Sequence, residues 1–116
     1  LQGYPSPRPR SPMTPKQLYI RQVLQNDPSS PDASWSRSRA SKRLAAQLYH
    51  RGIPLTIVQS AMLLVTARRV LRPTDAVPLP PIRTLYYFLP EIEELSAHPL
   101  DPDYIRYLRY KLHRLS

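Results

Sequence analysis

Residues 41–62 read SKRLAAQLYHRGIPLTIVQSAM, and their pattern decides the fold. Leu44, Ala45 and Leu48 share one face of a helix over 41–51, while Lys42, Arg43, His50 and Arg51 decorate the rest. Gly52 stands where a helix closes in the left-handed conformation, one residue past its end. Pro54 opens a further helix that continues to about residue 71. Its apolar residues Leu55, Ile57, Val58, Ala61, Met62, Leu64 and Val65 exceed a single stripe, so this helix is expected to be central and covered on more than one side. The pair predicts a helix–turn–helix in which Thr56, Gln59 and Ser60 are exposed and hydrogen-bond base edges. The helix lacks an Arg or Asn near its start, and Leu48 occupies the position where a tight pair uses a small residue. A plain αα-hairpin has the same features.

On the N-terminal side, Thr14 as N-cap and Pro15 at the first position predict a helix over 15–25, ended by Asn26-Asp27-Pro28. Residues 26–40 are a polar linker rich in Ser and Pro, and Trp35 stands alone in it, either as a plug on the edge of the core or as a platform for a base or partner. Residues 1–13, LQGYPSPRPRSPM, are a basic Pro/Ser tail with an extended, polyproline-type preference, in which Arg8 and Arg10 suit a groove or a phosphate backbone. On the C-terminal side, 73–81 (PTDAVPLPP) is a rigid connector, 82–88 reads as a short helix, and Pro90 starts another turn beside Glu91, Glu93 and Glu94. Asp101 and Pro102 begin the last helix, with Leu108, Leu112, Leu115, Tyr104 and Ile105 as its buried side. No period-two alternation lasts long enough for a strand. The expectation is an all-α bundle of about five helices with a helix-turn-helix-like pair and an extended tail: residues 1–13 tail, 14–25 helix, 26–40 linker, 41–116 core domain.

Among 116 residues, 17 are Lys or Arg and 8 are Asp or Glu. Residues 1–51 hold nine bases and two acids, 52–100 four of each, and 101–116 four bases and two acids. Cationic ends around a neutral middle attract a polyanion through counterion release. In the last helix Arg106, Arg109 and His113 share a face, Tyr110 sits beside them, and Lys111 and Arg114 add charge. Cations interleaved with rings grip phosphates and stack on bases; alternatively the tyrosines pack inward and the arginines are solvated. With Arg68 and Arg69 at the end of the central helix, the candidate nucleic-acid contacts are Arg8, Arg10, Lys42, Arg43, Arg51, Arg68, Arg69, Arg106, Arg109, Tyr110, Lys111, His113 and Arg114.

Gly52-Ile53-Pro54, Val58 and Ala61, followed by PIRTLYYF (81–88) and DPDYIRYLRYKL (101–112), resemble helical domains of the primosomal DnaD-like type over residues 41–115. Tyr104 and Leu108 keep that family's four-residue spacing, and Leu112 stands where the family has Trp. The resemblance implies a helical module of a replication, transposition or other mobile-element system that binds DNA without sequence preference and contacts helicase or initiator proteins.

Other classes have little support. The absence of Cys rules out disulfides and thiolate chemistry and fits a reducing, cytoplasmic setting. The longest apolar run, 61–65, is too short for a membrane span, and residues 1–10 carry no apolar leader core. His50, His98 and His113 lack a metal spacing, and no phosphate loop, dinucleotide fingerprint or nucleophile elbow is present. Glu91, Glu93 and Glu94 read as a solvated helix start. The expectation is a non-catalytic protein with no metal, cofactor, small-molecule substrate or membrane partner. Its partner is DNA first, with structured RNA as an option. The alternative is a protein-interaction adaptor that docks on a larger enzyme or nucleoprotein complex through an exposed Leu85-Tyr86-Tyr87-Phe88-Leu89 patch.

Overall fold

The computed structural model describes residues 13–25 and 34–115. It contains five α-helices, α1 (Pro15–Gln25), α2 (Arg39–His50), α3 (Leu55–Val70), α4 (Leu89–Ala97) and α5 (Pro102–Leu115), and no strand among the described residues. Two 3-10 turns, Ser34–Arg37 and Leu85–Phe88, precede α2 and α4 respectively. No described helix is long and apolar enough to cross a membrane.

Local chemistry sets most of the boundaries. Thr14 and Gln17 form a reciprocal capping box: the Gln17 amide donates to Thr14 Oγ1 (3.1 Å) and the Thr14 amide donates to Gln17 Oε1 (3.0 Å). Ser38 caps α2 by accepting from the Ser41 amide, so the helix begins at Arg39, two residues before the predicted start. Gly52, at φ 76°, closes α2 in a Schellman arrangement, with Gly52 N–H on the Tyr49 carbonyl (3.0 Å) and Ile53 N–H on the Leu48 carbonyl (3.1 Å). Asp101 starts α5 by accepting from the Asp103 amide at 2.7 Å.

As its breadth of apolar residues implies, α3 is the axis of the bundle. Its buried set runs from Ser60 through Ala67, with Val58. One side, with Val58, Ala61, Met62 and Val65, joins the main core of Val23, Trp35, Leu44, Ala45, Leu48, Ile53, Leu85, Phe88, Ile92 and Leu95. The other, with Leu63, Leu64 and Ala67, forms a smaller cluster with Leu108 of α5. The core therefore reaches beyond 41–116. Val23 of α1 is fully buried, and the Tyr19 hydroxyl donates to the Ile53 carbonyl at 2.8 Å, with burial pushing its pKa up to about 12. Trp35 of the supposed linker is a plug, 3 % exposed, with its ring centroid 5.4 Å from that of Phe88.

The predicted helix over 82–88 is corrected. Residues 82–84 have no regular structure, and the 3-10 turn Leu85–Phe88 leads directly into α4. With three residues per turn, Leu85 and Phe88 eclipse one another and both enter the core, while Tyr86 and Tyr87 point outward. The proposed apolar docking patch is thereby split, because its two largest aliphatic and phenyl anchors belong to the interior. On α5, Tyr104, expected on the buried side, is instead 44 % exposed and stacked on Tyr107, with centroids 6.1 Å apart. The assignment of Leu115 lies outside the described side chains.

Leu108 is buried in the smaller cluster, at the edge of the bundle and not at its centre. Leu108→Ala is therefore expected to cost about 2 kcal/mol, the low end for a buried leucine, and to unseat α5 while α1–α4 stay folded. Amide exchange reads this directly: α5 amides should lose protection and those around Phe88 should keep it. Equal loss in both regions would mean that α5 and the main core unfold as one unit.

Candidate nucleic-acid interface

Helix α2 reads RASKRLAAQLYH and contains no carboxylate. Ser41, Leu44, Ala45 and Leu48 bury one face, and the periodicity turns Arg39, Lys42, Arg43 and His50 to the other, where all four are exposed. The same holds more widely. Among the described residues up to Pro54 there are seven Lys and Arg (Lys16, Arg21, Arg37, Arg39, Lys42, Arg43 and Arg51) and no Asp or Glu. The described acids all lie later: Asp75, Glu91, Glu93, Glu94, Asp101 and Asp103. Charge is thus segregated along the fold, and the side chains of Arg39, Lys42 and Arg43 make no hydrogen bond or ion pair with any described residue.

Several candidate cations are already engaged by the fold. Arg51 forms a two-pronged contact with Glu93 of α4, at 2.6 and 3.2 Å. That hydrogen-bonded pairing holds the Glu93 carboxyl below its usual pKa and the Arg51 guanidinium above its own. Arg68 pairs with Glu91 at 3.3 Å. Glu91 and Glu93 are therefore partners of basic side chains, a role that a solvated helix start does not describe. Arg69 donates to the Tyr87 hydroxyl and the Pro80 carbonyl, each at 2.9 Å, and its guanidinium lies 5.3 Å from the Tyr87 ring centroid.

On α5, Tyr107 and Tyr110 are 51 % and 55 % exposed, so the tyrosines do not form its packed side. Arg106 is paired with Asp103 one turn earlier. Arg114 donates to the Tyr110 hydroxyl at 2.9 Å and lies 5.7 Å from its ring centroid. Arg109 and His113 are exposed and unengaged among the described residues, and Lys111 is half-buried at the flank. Arg8 and Arg10 lie outside the described residues.

The helix–turn–helix candidate is present as a helix pair, but its expected reading face is not. Ser60 is buried, at 9 % exposure, and Gln59 is half-buried, leaving Thr56 exposed among the three. A helix buried along most of its length has no free side to lay in a major groove. Sequence reasoning missed Arg39. The signal was Ser38, whose capping role moves the helix start ahead of Arg39 and brings it into line with Arg43 and His50. Among the described residues no three His, Asp or Glu side chains converge as a metal site would require. Compared with known proteins, the chain matches no family model, no curated protein and no solved structure.

Proposed function

We propose that this chain is a non-catalytic accessory protein that binds nucleic acid, DNA in the first instance, through the outward face of α2, with α5 as a second contact. The observation that carries the reading is the α2 face itself: Arg39, Lys42 and Arg43 together, exposed, with no carboxylate on the helix to neutralise them, and His50 exposed on the same face. Cations that the fold does not use keep their full capacity to displace condensed counterions from a phosphate backbone. The exposed rings of Tyr107 and Tyr110 on α5 add stacking surfaces suited to bases that are not held in a duplex. Contacts of this kind read charge and shape, which agrees with binding without sequence preference. Such a module would suit a replication or mobile-element system in a reducing, cytoplasmic compartment, which is what the DnaD-like resemblance over residues 41–115 implies.

Affinity for a generic duplex, measured by fluorescence anisotropy across salt concentrations, tests the reading. The unsubstituted protein should weaken steeply with salt. Arg39→Gln, Lys42→Gln and Arg43→Gln together should reduce the logarithmic slope by about 2–3, close to one per phosphate contact removed, with helical content unchanged. The matching set on α5, Arg106→Gln, Arg109→Gln and Arg114→Gln, should reduce it less, because Arg106 and Arg114 are already held by Asp103 and Tyr110. Binding that is absent, or independent of salt in the unsubstituted protein, would remove the proposal.

A further inference from the structure

The connector between α3 and the second 3-10 turn contains Val77-Pro78-Leu79-Pro80-Pro81-Ile82-Arg83. Every residue from 77 to 81 is either a proline or the residue before one. The ring fixes φ near −65° in the former, and steric contact with the next ring pushes the latter to extended conformations. A polyproline II helix satisfies all five positions, and the described peptide bonds include no cis form. The segment has no regular hydrogen-bonded structure, and 77–81 and Arg83 are all exposed.

A polyproline II helix repeats every three residues, so its side chains form three ridges. Ile82 is half-buried against the main core, and Leu79, its ridge partner, is 37 % exposed against 78 % for Val77. The Leu79–Ile82 ridge is thus turned toward the bundle at its Ile82 end, with Leu79 the less exposed of the two apolar residues before it. The Val77–Pro80 and Pro78–Pro81 ridges are left facing solvent. The seating is fixed by main-chain contacts that repeat at the same interval: Arg72 donates to the Val77 carbonyl at 2.7 Å, and Arg69 to the Pro80 carbonyl at 2.9 Å. Arg83, two residues beyond Pro81, has no partner among the described residues.

From this arrangement we infer that the connector is a preformed docking ligand for a protein domain whose groove is lined with aromatic rings and carries a carboxylate where Arg83 arrives. Two adjacent ridges of a proline helix are what such grooves receive, and a segment already held in its bound shape loses little entropy on docking. The spacing Pro78-x-x-Pro81-x-Arg83 supplies both the apolar ridge and a charged residue that fixes direction along the groove. The two outward ridges and Arg83 are independent of the α2 cations, so the inference stands or falls apart from nucleic-acid binding.

The test uses the full chain and, as probe, an SH3 domain with an acidic pocket beside its proline-binding groove, titrated by calorimetry. Saturable binding is expected, weakened about tenfold or more by Pro78→Ala with Pro81→Ala, and by Arg83→Gln alone. Arg39→Gln with Lys42→Gln and Arg43→Gln should leave it unchanged. Arg83 is exposed and supports nothing in the core, so its variant remains informative even where the proline variants loosen the connector. Absence of saturable binding, or binding indifferent to both the proline and Arg83 variants, overturns the inference. So does an Arg83→Gln effect confined to the salt slope on DNA, which would assign that side chain to phosphate.

Discussion

Phe88→Ala is expected to lower the free energy of unfolding by about 3–5 kcal/mol, a large part of the stability of any small domain. Phe88 is 1 % exposed and closes the 3-10 turn that precedes α4, with its ring against Trp35 on one side and Tyr87 on the other. Truncation removes the contact between the Trp35 plug and the rest of the core. The void cannot collapse freely, because Leu85 one turn earlier is itself fixed by a main-chain hydrogen bond to Ser41. A drop in urea midpoint at constant slope would report it. The adjacent Tyr87→Ala is the control: Tyr87 is 42 % exposed and touches Arg69, so its loss should cost less than about 1 kcal/mol. If the two substitutions cost the same, the outward and inward division of the turn is wrong.

That division marks the boundary between what the sequence discloses and what it conceals. Thr14, Gly52 and Asp101 could be placed from the sequence because each acts on the backbone within five residues, through a cap or a left-handed closure. The centrality of α3 was equally open, since no solvated helix is apolar on so many sides. The Leu85–Phe88 turn was hidden. Its four apolar residues suit either a helix or a 3-10 turn, and the choice is made by Ser41, 44 residues away in the chain, which accepts the Leu85 amide. The site divides the same way. Composition revealed the cations but not which of them the fold consumes: Glu93 lies 42 residues from Arg51, and Glu91 lies 23 from Arg68. Arg39 was lost to a helix start placed two residues late, a local error with a local cause in the Ser38 cap.

Ser41→Ala should cost about 2–4 kcal/mol, although alanine is the better helix former and in an exposed helix would be stabilising by a few tenths. The Ser41 side chain is fully buried, and its hydroxyl does two things at once. It donates to the Trp35 carbonyl at 2.6 Å and accepts the Leu85 amide at 2.9 Å, joining α2 to both 3-10 turns. Alanine preserves the packing and removes both bonds. The Trp35 carbonyl keeps a second donor, the Ser38 amide at 3.3 Å, so the heavier loss falls on the Leu85 amide, which is left buried without an acceptor. Water cannot replace the hydroxyl without opening the space between α2 and the turn. Ser38→Ala separates this effect from capping: it removes the N-cap of the same helix and should cost about 1 kcal/mol. Amide exchange at Leu85 gives the specific signature, since Ser41→Ala should accelerate it well beyond the average for the core, whereas Ser38→Ala should not. A Ser41→Ala loss no greater than that of Ser38→Ala would mean that the buried hydroxyl does not hold the two turns together.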